Sequence, residues 1–293
     1  MLRTALSAMR AEQWYKNLVI FIGIVFSMNL TNLWMLSRIV PAFGVFCILS
    51  SSVYLINDIH DAEKDRLHPK KRNRPVASGR MSVSFARGLA ALFIAVSFTS
   101  AFILGSLFFV VCLIYLAQNL LYTFWLRSLA VVDVIVVSTG FVWRAIAGTV
   151  VIGVETSPWL IICSFLLALF LSLIKRRTEM TVLERAEEHR APLGSYSERL
   201  IDTFLNITTA SLLVAYMTYT FNSKYIYMMA TIPFSFIGIF RYLQMAREQG
   251  ADDDTSIIFR DRIMQVNLLF WALTSIVAIY GAPQHLLELL ARG

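Results

Sequence analysis

Long apolar segments alternate with short polar ones along most of the chain. A run of about 20 apolar residues is long enough to cross a bilayer as a helix. The pattern therefore predicts an all-α, polytopic membrane protein with nine transmembrane helices. The predicted spans are roughly 17–36, 39–60, 83–105, 107–126, 130–152, 158–175, 200–221, 225–246 and 263–281.

Two features of this pattern define the organisation of the chain. The third span is joined to the fourth almost directly, around Gly105 and Ser106, so a tight helical hairpin is predicted there. The longest polar stretches lie at about 61–82 and 175–199, and both are too short for a soluble domain. We therefore predict a single transmembrane domain over residues 1–293 with two polar loops.

Composition supports a membrane protein. Of the 293 residues, 57% are hydrophobic and 15% are charged, whereas soluble domains carry roughly 25% charged residues. The three cysteines and four histidines have no metal-ligand spacing. We read the cysteines as small buried side chains rather than as a metal or redox site.

Basic residues are distributed asymmetrically between the two ends of the predicted helices. Of the 26 Lys and Arg residues, 22 lie at the N-terminus or in the loops on the same side, and three lie on the other side. Basic loops stay in the cytoplasm. We expect the N-terminus and the polar loops to face the cytoplasm in the cell (inner) membrane, where the net charge of +7 suits anionic headgroups or an anionic substrate.

The second predicted span ends in NDIHDAEKD, which contains Asn57, Asp58, Asp61 and Asp65. The spacing i, i+3 and i+7 places the three carboxylates on one helical face. Hard divalent cations prefer oxygen ligands, and Mg²⁺ is often held by one or two carboxylates together with substrate phosphates. We predict a Mg²⁺ site that binds a diphosphate leaving group. The alternative is a solvated acidic helix end, although carboxylates there oppose the helix macrodipole.

Basic residues follow this acidic stretch in HPKKRNRP, among them Lys70 and Arg74. Alone, such a run is an ordinary cytoplasmic anchor. Next to a metal-binding acid cluster, one or two of these residues are candidates for phosphate binding.

The second polar stretch begins with KRRTE, which holds Lys175, Arg176 and Glu179. Lys175 and Glu179 are spaced i, i+4, so an intrahelical ion pair is the simple interpretation. The functional interpretation is that the cations hold phosphate oxygens and Glu179 assists metal binding. We favour it because this stretch is expected to face the acid cluster in a closed bundle.

Further polar residues lie at helix ends and inside one span. Lys16 and Asn17 begin the first span, and Tyr122 and Arg127 end the fourth; each could bind substrate or anchor a helix at the interface. Arg144 lies within the fifth span, where ionisable residues usually face a polar cavity.

These motifs together resemble the UbiA superfamily of intramembrane prenyltransferases. The resemblance rests on NDxxDxxxD at 57–65, at the cytoplasmic end of the second of nine spans, and covers nearly the whole chain. It implies a ring of nine helices around a central cavity, with two cytoplasmic cap loops over a Mg²⁺-diphosphate site.

The chain departs from most of that family at 175–179. Members that use a prenyl diphosphate carry a second DxxxD motif there, whereas this chain has KRRTE. With EQWYKN at 12–17, HPKKRNRPVASG at 68–79 and GFVWRAIAG at 140–148, it is similar to the decaprenyl-phosphate phosphoribosyltransferase subgroup. That resemblance implies transfer of phosphoribose from 5-phosphoribosyl-1-diphosphate to a polyprenyl phosphate, for cell wall biosynthesis.

The resemblance also implies roles for the candidate residues. Diphosphate leaves as the ribose C1–O bond breaks, and the lipid phosphate attacks C1 without a general base. Metal binding is expected of Asp58, Asp61 and Asp65, and the catalytic group is expected to be Asp58, Asp61, Lys175 and Glu179. Substrate binding is expected of Lys16, Asn17, Asn57, Lys70, Arg74, Tyr122, Arg127, Arg144 and Arg176.

Two other functions fit part of the pattern. A Mg²⁺-dependent prenyltransferase would move a prenyl group to an aromatic or lipid acceptor, and an anionic-lipid transporter would use the basic loops and Arg144. Acids at the cytoplasmic end fit a transporter poorly. We expect no nucleic-acid partner.

Overall fold

The computed structural model describes residues 7–67, 71–182, 196–249 and 261–281, and every regular element within these ranges is a helix. Eight helical segments are long and apolar enough to cross a membrane. The α-helices are α1 (Ile22–Phe26), α2 (Leu33–His60), α3 (Ala62–Leu67), α4 (Val83–Leu104), α5 (Ser106–Phe124), α6 (Val132–Ile152), α7 (Pro158–Val182), α8 (Glu198–Asn222), α9 (Ile232–Gln249) and α10 (Arg262–Tyr280). Four 3-10 helices lie at Ala11–Phe21, Lys71–Asn73, Leu126–Ser128 and Ile226–Thr231.

Side-chain caps fix where several long helices begin. The side chains of Asn32, Ser82, Ser197 and Asp261 each accept a hydrogen bond from the backbone N–H three residues later. Such caps satisfy one of the unpaired N–H groups of a first turn. Capping by Asn32 explains why α2 begins at Leu33, whereas the hydrophobic pattern placed its start near residue 39.

The first predicted span, 17–36, has an irregular structure. It begins as the 3-10 helix Ala11–Phe21, continues as α1, and is followed after a turn by α2. Eleven residues in 3-10 geometry and five in α geometry extend about 30 Å, close to the thickness of the hydrocarbon core.

Contacts show the direction in which this opening segment runs. Trp14 bonds Ser51 and Phe21 packs on Phe43, so the segment is antiparallel to α2. It also lies against α6, where a Cβ atom on Gly148 would be 2.0 Å from the carbonyl oxygen of Ile20. The opening segment can therefore lie this close only because residue 148 is a glycine, since the backbone of the segment touches the backbone of α6 there.

The predicted hairpin between the third and fourth spans is confirmed. α4 ends at Leu104, α5 begins at Ser106, and Gly105 between them has φ +142°. Close by, Arg38 donates from Nε to the Val151 carbonyl at 2.7 Å and from Nη2 to the Leu104 carbonyl. One guanidinium thus caps the C-terminal ends of α4 and α6, where positive charge complements the helix dipoles.

The contacts divide the chain into two compact units, one formed by the described residues up to Thr156 and the other by those from Ser157. The apolar core of the first unit includes Phe46, Phe108 and Tyr115. In the second unit, α7 continues to Val182, so residues 175–182 are helical and not part of a polar loop as predicted. Lys, Arg, Glu and Met are good helix formers, and they extend α7 beyond its apolar portion.

Candidate functional site

The three predicted acids lie at one end of α2, but on two helices rather than one. Asp58 lies in the last turn of α2, Asp61 is its C-cap, and Asp65 lies in α3. The N–H of Asp61 bonds the carbonyl of Asn57 at 2.9 Å, and the N–H of Asp65 bonds the carbonyl of Asp61 at 2.8 Å. These i to i−4 bonds continue the helical spacing across the break.

Asp58 is buried and is paired with an arginine that the sequence reasoning did not select. Its Oδ1 accepts a hydrogen bond from Nη2 of Arg10, whose guanidinium also lies 4.8 Å from the ring centre of Tyr54. Arg10 precedes the first 3-10 helix and has a left-handed backbone, with φ 49° and ψ 52°. This conformation is uncommon for a residue with a side chain.

Arg74 joins two of the acids. Its Nη1 lies 2.6 Å from Oδ2 of Asp65 and 3.3 Å from Oδ1 of Asp58. Arg74, which lies between α3 and α4, is therefore held at the acidic end of α2.

Asp61 forms a two-pronged ion pair with Arg127. Nη1 and Nη2 of Arg127 each lie 2.7 Å from one carboxylate oxygen of Asp61. Burial opposes ionisation of this carboxyl, but the hydrogen bonds and charge of Arg127 outweigh it and hold the pKa of Asp61 below its usual range. Asp61 is therefore a carboxylate at neutral pH.

The end of α5 completes this group. Thr123 donates a hydrogen bond to Oδ1 of Asn57, and Tyr122 is the next residue toward its N-terminus. Arg127 follows within the 3-10 helix after α5. The predicted residues Asn57, Asp58, Asp61, Asp65, Arg74 and Arg127 thus lie together, and we call them, with Arg10, the acid–arginine cluster.

A second group lies deeper in the same unit. Arg144 is buried and donates to Oδ1 of Asn17 at 2.7 Å, to the Gly140 carbonyl at 2.9 Å and to the Tyr115 hydroxyl at 2.8 Å. Asn17 in turn donates to Ser50 at 3.3 Å. All these partners are neutral, so among the described residues this buried guanidinium has no carboxylate partner.

In the second unit, the residues of KRRTE lie on α7. Arg176 donates to Glu179 at 2.6 Å, and Arg177 lies 3.0 Å from Asp202 and 3.1 Å from Glu198 on α8. The carboxylate of Glu179 thus accepts a hydrogen bond from Arg176, three residues earlier.

The remaining candidates have simpler outcomes. Lys16 is half-buried with its ammonium 5.8 Å from the ring centre of Tyr15, and Lys70 lies outside the described residues. Sequence reasoning missed Arg10. The negative charge of three clustered carboxylates, which favours nearby basic residues, is the signal that could have pointed to it.

The donor chemistry of the cluster suits a hard cation, but its arrangement is closed. Carboxylate oxygens are the ligands that Mg²⁺ prefers. Within the described ranges, however, no three His, Cys, Asp or Glu side chains converge as a metal-ligand group. Each acid instead contacts an arginine through at least one carboxylate oxygen.

Comparison with known proteins gives consistent matches along the chain. The UbiA prenyltransferase family matches residues 17–273. Decaprenyl-phosphate phosphoribosyltransferase of Corynebacterium glutamicum is 31% identical over 292 residues, covering 95% of this chain and 87% of that protein. The protein of the same name from Mycolicibacterium smegmatis is 32% identical over 295 residues, covering 94% and 92%.

The fold has solved counterparts. The structure of a UbiA homolog from Archaeoglobus fulgidus bound to GPP and Mg²⁺ aligns with a TM-score of 0.72 and 18% identity, covering 94% of this chain and 99% of that one. At this identity the match establishes the fold.

Proposed function

Because this chain belongs to the UbiA prenyltransferase family, we propose that it transfers 5-phosphoribose from 5-phosphoribosyl-1-diphosphate to a polyprenyl phosphate and releases diphosphate. The two relatives that match almost end to end bear the name of that activity. The donor brings a diphosphate and a 5-phosphate, and the acceptor brings a third phosphate. A site for these substrates needs more positive charge than a site for a prenyl diphosphate and an apolar acceptor.

The observation that carries this choice of donor is the chemistry at 175–179. Family members that use a prenyl diphosphate carry two acids at the position that corresponds to 175–179, and these acids provide a second metal contact. Here the one carboxylate, Glu179, is bonded to Arg176, and Arg177 holds two further acids. Guanidinium groups match phosphate oxygens in geometry and charge. This stretch therefore favours a phosphate-bearing substrate.

Mg²⁺ is the proposed cofactor, held by Asp58, Asp61 and Asp65. When bound, the ion neutralises the diphosphate and stabilises it as a leaving group. The solved relative from Archaeoglobus fulgidus binds Mg²⁺ with a diphosphate ester, which supports this assignment.

The chain itself supplies orientation and charge. Arg74 and Arg127 hold the carboxylates in place at 2.6 and 2.7 Å. We assign phosphate binding to these two residues and to Lys16, Lys70, Lys175 and Arg176, and an orienting role to Asn57, Tyr122 and Glu179. The lipid phosphate is already an anion, so its attack on the ribose C1 requires no general base.

Arg144 and Asn17 are proposed to bind substrate from a deeper position. Ser50, which bonds Asn17, is eight residues before Asp58 on α2, or about 12 Å along the helix axis. A buried cation with neutral partners is costly unless an anion compensates it. A phosphate group two helical turns from the diphosphate would supply that anion.

A donor assay with purified protein in detergent tests the function. With Mg²⁺, we expect label from phosphoribosyl diphosphate to enter polyprenyl phosphate, and no transfer from a prenyl diphosphate to an aromatic acceptor. The reverse result would make the protein a prenyltransferase. Because detergent micelles sustain no gradient, turnover there would also exclude a pure transporter.

We further propose that the acid–arginine cluster faces the cytoplasm in the cell (inner) membrane, with a cytoplasmic N-terminus. The motive is the 22-to-3 division of the basic residues. A cysteine in place of Lys71 should resist an impermeant thiol reagent in intact cells and react after permeabilisation. Reaction in intact cells would reverse the topology.

A further inference from the structure

In the acid–arginine cluster, each acid is paired with an arginine of the chain. Three carboxylates are matched by three guanidinium groups that come from three separate parts of the first unit. Arg10 precedes the first 3-10 helix, Arg74 lies between α3 and α4, and Arg127 follows α5. The acids that would hold a metal ion are thus already occupied by cations of the chain.

The charges disfavour entry of a metal ion alone. The three acids and three arginines cancel pairwise, so a divalent ion would add two positive charges to a neutral group. It would also have to break bonds such as those between Arg127 and Asp61, which are two-pronged at 2.7 Å. Released guanidinium groups would then lose charge-assisted partners in a half-buried place.

A diphosphate that arrives with the ion removes both costs. Its oxygens carry the negative charge that the arginines lose, and guanidinium binds phosphate with the same fork geometry as it binds carboxylate. The arginines can then make as many charge-assisted bonds to phosphate oxygens as they made to the carboxylates. The carboxylates become available to bind the metal ion.

We propose that Arg10, Arg74 and Arg127 close the three acids in the ligand-free protein and exchange onto the diphosphate, so that metal ion and diphosphate bind as a unit. This rests on the proposed function for the presence of a diphosphate, but not on which group the diphosphate carries. Arg10 becomes a substrate-binding residue under this proposal. Each ligand must raise the affinity for the other by the same factor.

The test measures binding rather than turnover. Mn²⁺ serves as the metal probe in electron paramagnetic resonance titrations of detergent-purified protein, and inorganic diphosphate serves as the second ligand. Protein-free titrations account for the complex that the two form in solution. In the wild-type protein, we expect diphosphate to raise Mn²⁺ affinity by about 5–150-fold, the usual range of coupling between two ligands.

The decisive variant is Arg127→Gln, which frees the carboxylate of Asp61. We expect it to bind Mn²⁺ alone more tightly than the wild type and to show a smaller enhancement by diphosphate. An arginine that only supports the fold would leave metal affinity unchanged or lower it, and either outcome would overturn the proposal.

Two further variants keep the test decisive. Arg127→Lys keeps the charge but loses the fork geometry, so its Mn²⁺ affinity and its enhancement by diphosphate should both be intermediate. This variant provides the test if Arg127→Gln folds poorly. Arg87→Gln removes one positive charge from an exposed position in the second turn of α4 and should alter neither measurement. Because diphosphate is released from either a phosphoribosyl or a prenyl donor, failure of the donor assay would leave this result standing, and failure of the coupling would leave the donor assay standing.

Discussion

The acid–arginine cluster and the charged part of α7 differ in which partner of their ion pairs is the more buried. At the end of α2, the Asp58 side chain is 2% exposed, whereas its partners Arg10 and Arg74 are 21% and 26% exposed. On α7 the order is reversed, since Arg176 is 4% exposed and Glu179 is 25% exposed. The first region buries the anion and the second buries the cation.

This difference indicates what each region can accept. An ion pair that loses one partner leaves the other charge uncompensated, at a large cost when that charge is buried. The partner that leaves most readily is the exposed one. The first region can therefore exchange an arginine for another cation, such as a metal ion, and the second can exchange a glutamate for another anion, such as a phosphate.

The strongest test of the comparison is removal of an acid from the first region. Asp58→Ala or Asp61→Ala should reduce turnover at least about a thousandfold, because loss of metal binding removes several kcal/mol of leaving-group stabilisation. Size-exclusion profiles in detergent should show that both variants remain folded. The control is Glu198→Gln, whose side chain is 57% exposed and whose activity should match the wild type. Near wild-type turnover of either aspartate variant at limiting Mg²⁺ would refute the metal assignment.

The second test addresses the cations of α7. Lys175→Ala and Arg176→Gln should each lower kcat/KM about tenfold to a hundredfold, since a charge-assisted phosphate contact contributes roughly 1.5–3 kcal/mol. Lys175→Arg should restore only part of the activity, because a planar fork replaces a compact ammonium.

Steady-state kinetics with both substrates varied would measure these effects. Arg199→Gln, on the exposed first turn of α8, is the matched control. If Lys175 only pairs with a neighbour on a solvated helix, its loss should be nearly silent, because exposed pairs contribute roughly 0.3–0.5 kcal/mol. An unchanged kcat/KM for both substrates would remove the reason to prefer a phosphoribosyl donor.

The third test examines whether the contact between the opening segment and α6 positions Arg10 beside the acids of the first region. Gly148→Ala would force the opening segment away from α6, because the new methyl group would meet the Ile20 carbonyl at 2.0 Å. Overpacking of this kind costs about 1–3 kcal/mol, so thermal unfolding should shift several degrees lower. Gly44→Ala is the control, since nothing lies within 4 Å of its added Cβ. An equal response of the two variants would mean that the close approach does not position the segment.

The smallest expected effect concerns pH. Asp61 has a lowered pKa in the folded protein, so its pair with Arg127 stabilises the fold fully above the unfolded pKa of about 3.9 and loses that effect as pH falls through the lower folded value. Arg127→Gln should be less stable than the wild type at pH 7 by about 1 kcal/mol or less. Thermal melts should show this difference shrinking below about pH 4. A difference that stays constant with pH would assign the stabilisation to packing.

Sequence reasoning succeeded where the signal was local. The ends of α4, α5 and α6 were predicted within about two residues because apolar and polar residues change sharply at a membrane boundary. The acid cluster was recognised because its spacing is a property of one helical stretch. Arg10 could not be placed, since its contact with Asp58 joins residues 48 apart and depends on the path of the opening segment. The extension of α7 was missed for a different reason, namely that hydropathy ends where the charged helix formers begin.

The double cap made by Arg38 sets an order on the assembly of the first unit during synthesis. Arg38 enters the membrane with α2, but the carbonyl groups that it bonds are made 66 and 113 residues later. At translation rates of about 5–20 residues per second, the later partner follows after about 6–23 s. Until then the guanidinium can have only one of its two carbonyl partners, that of Leu104. A chain that stops before Val151 would therefore lack the part of the cap that Arg38 makes on α6.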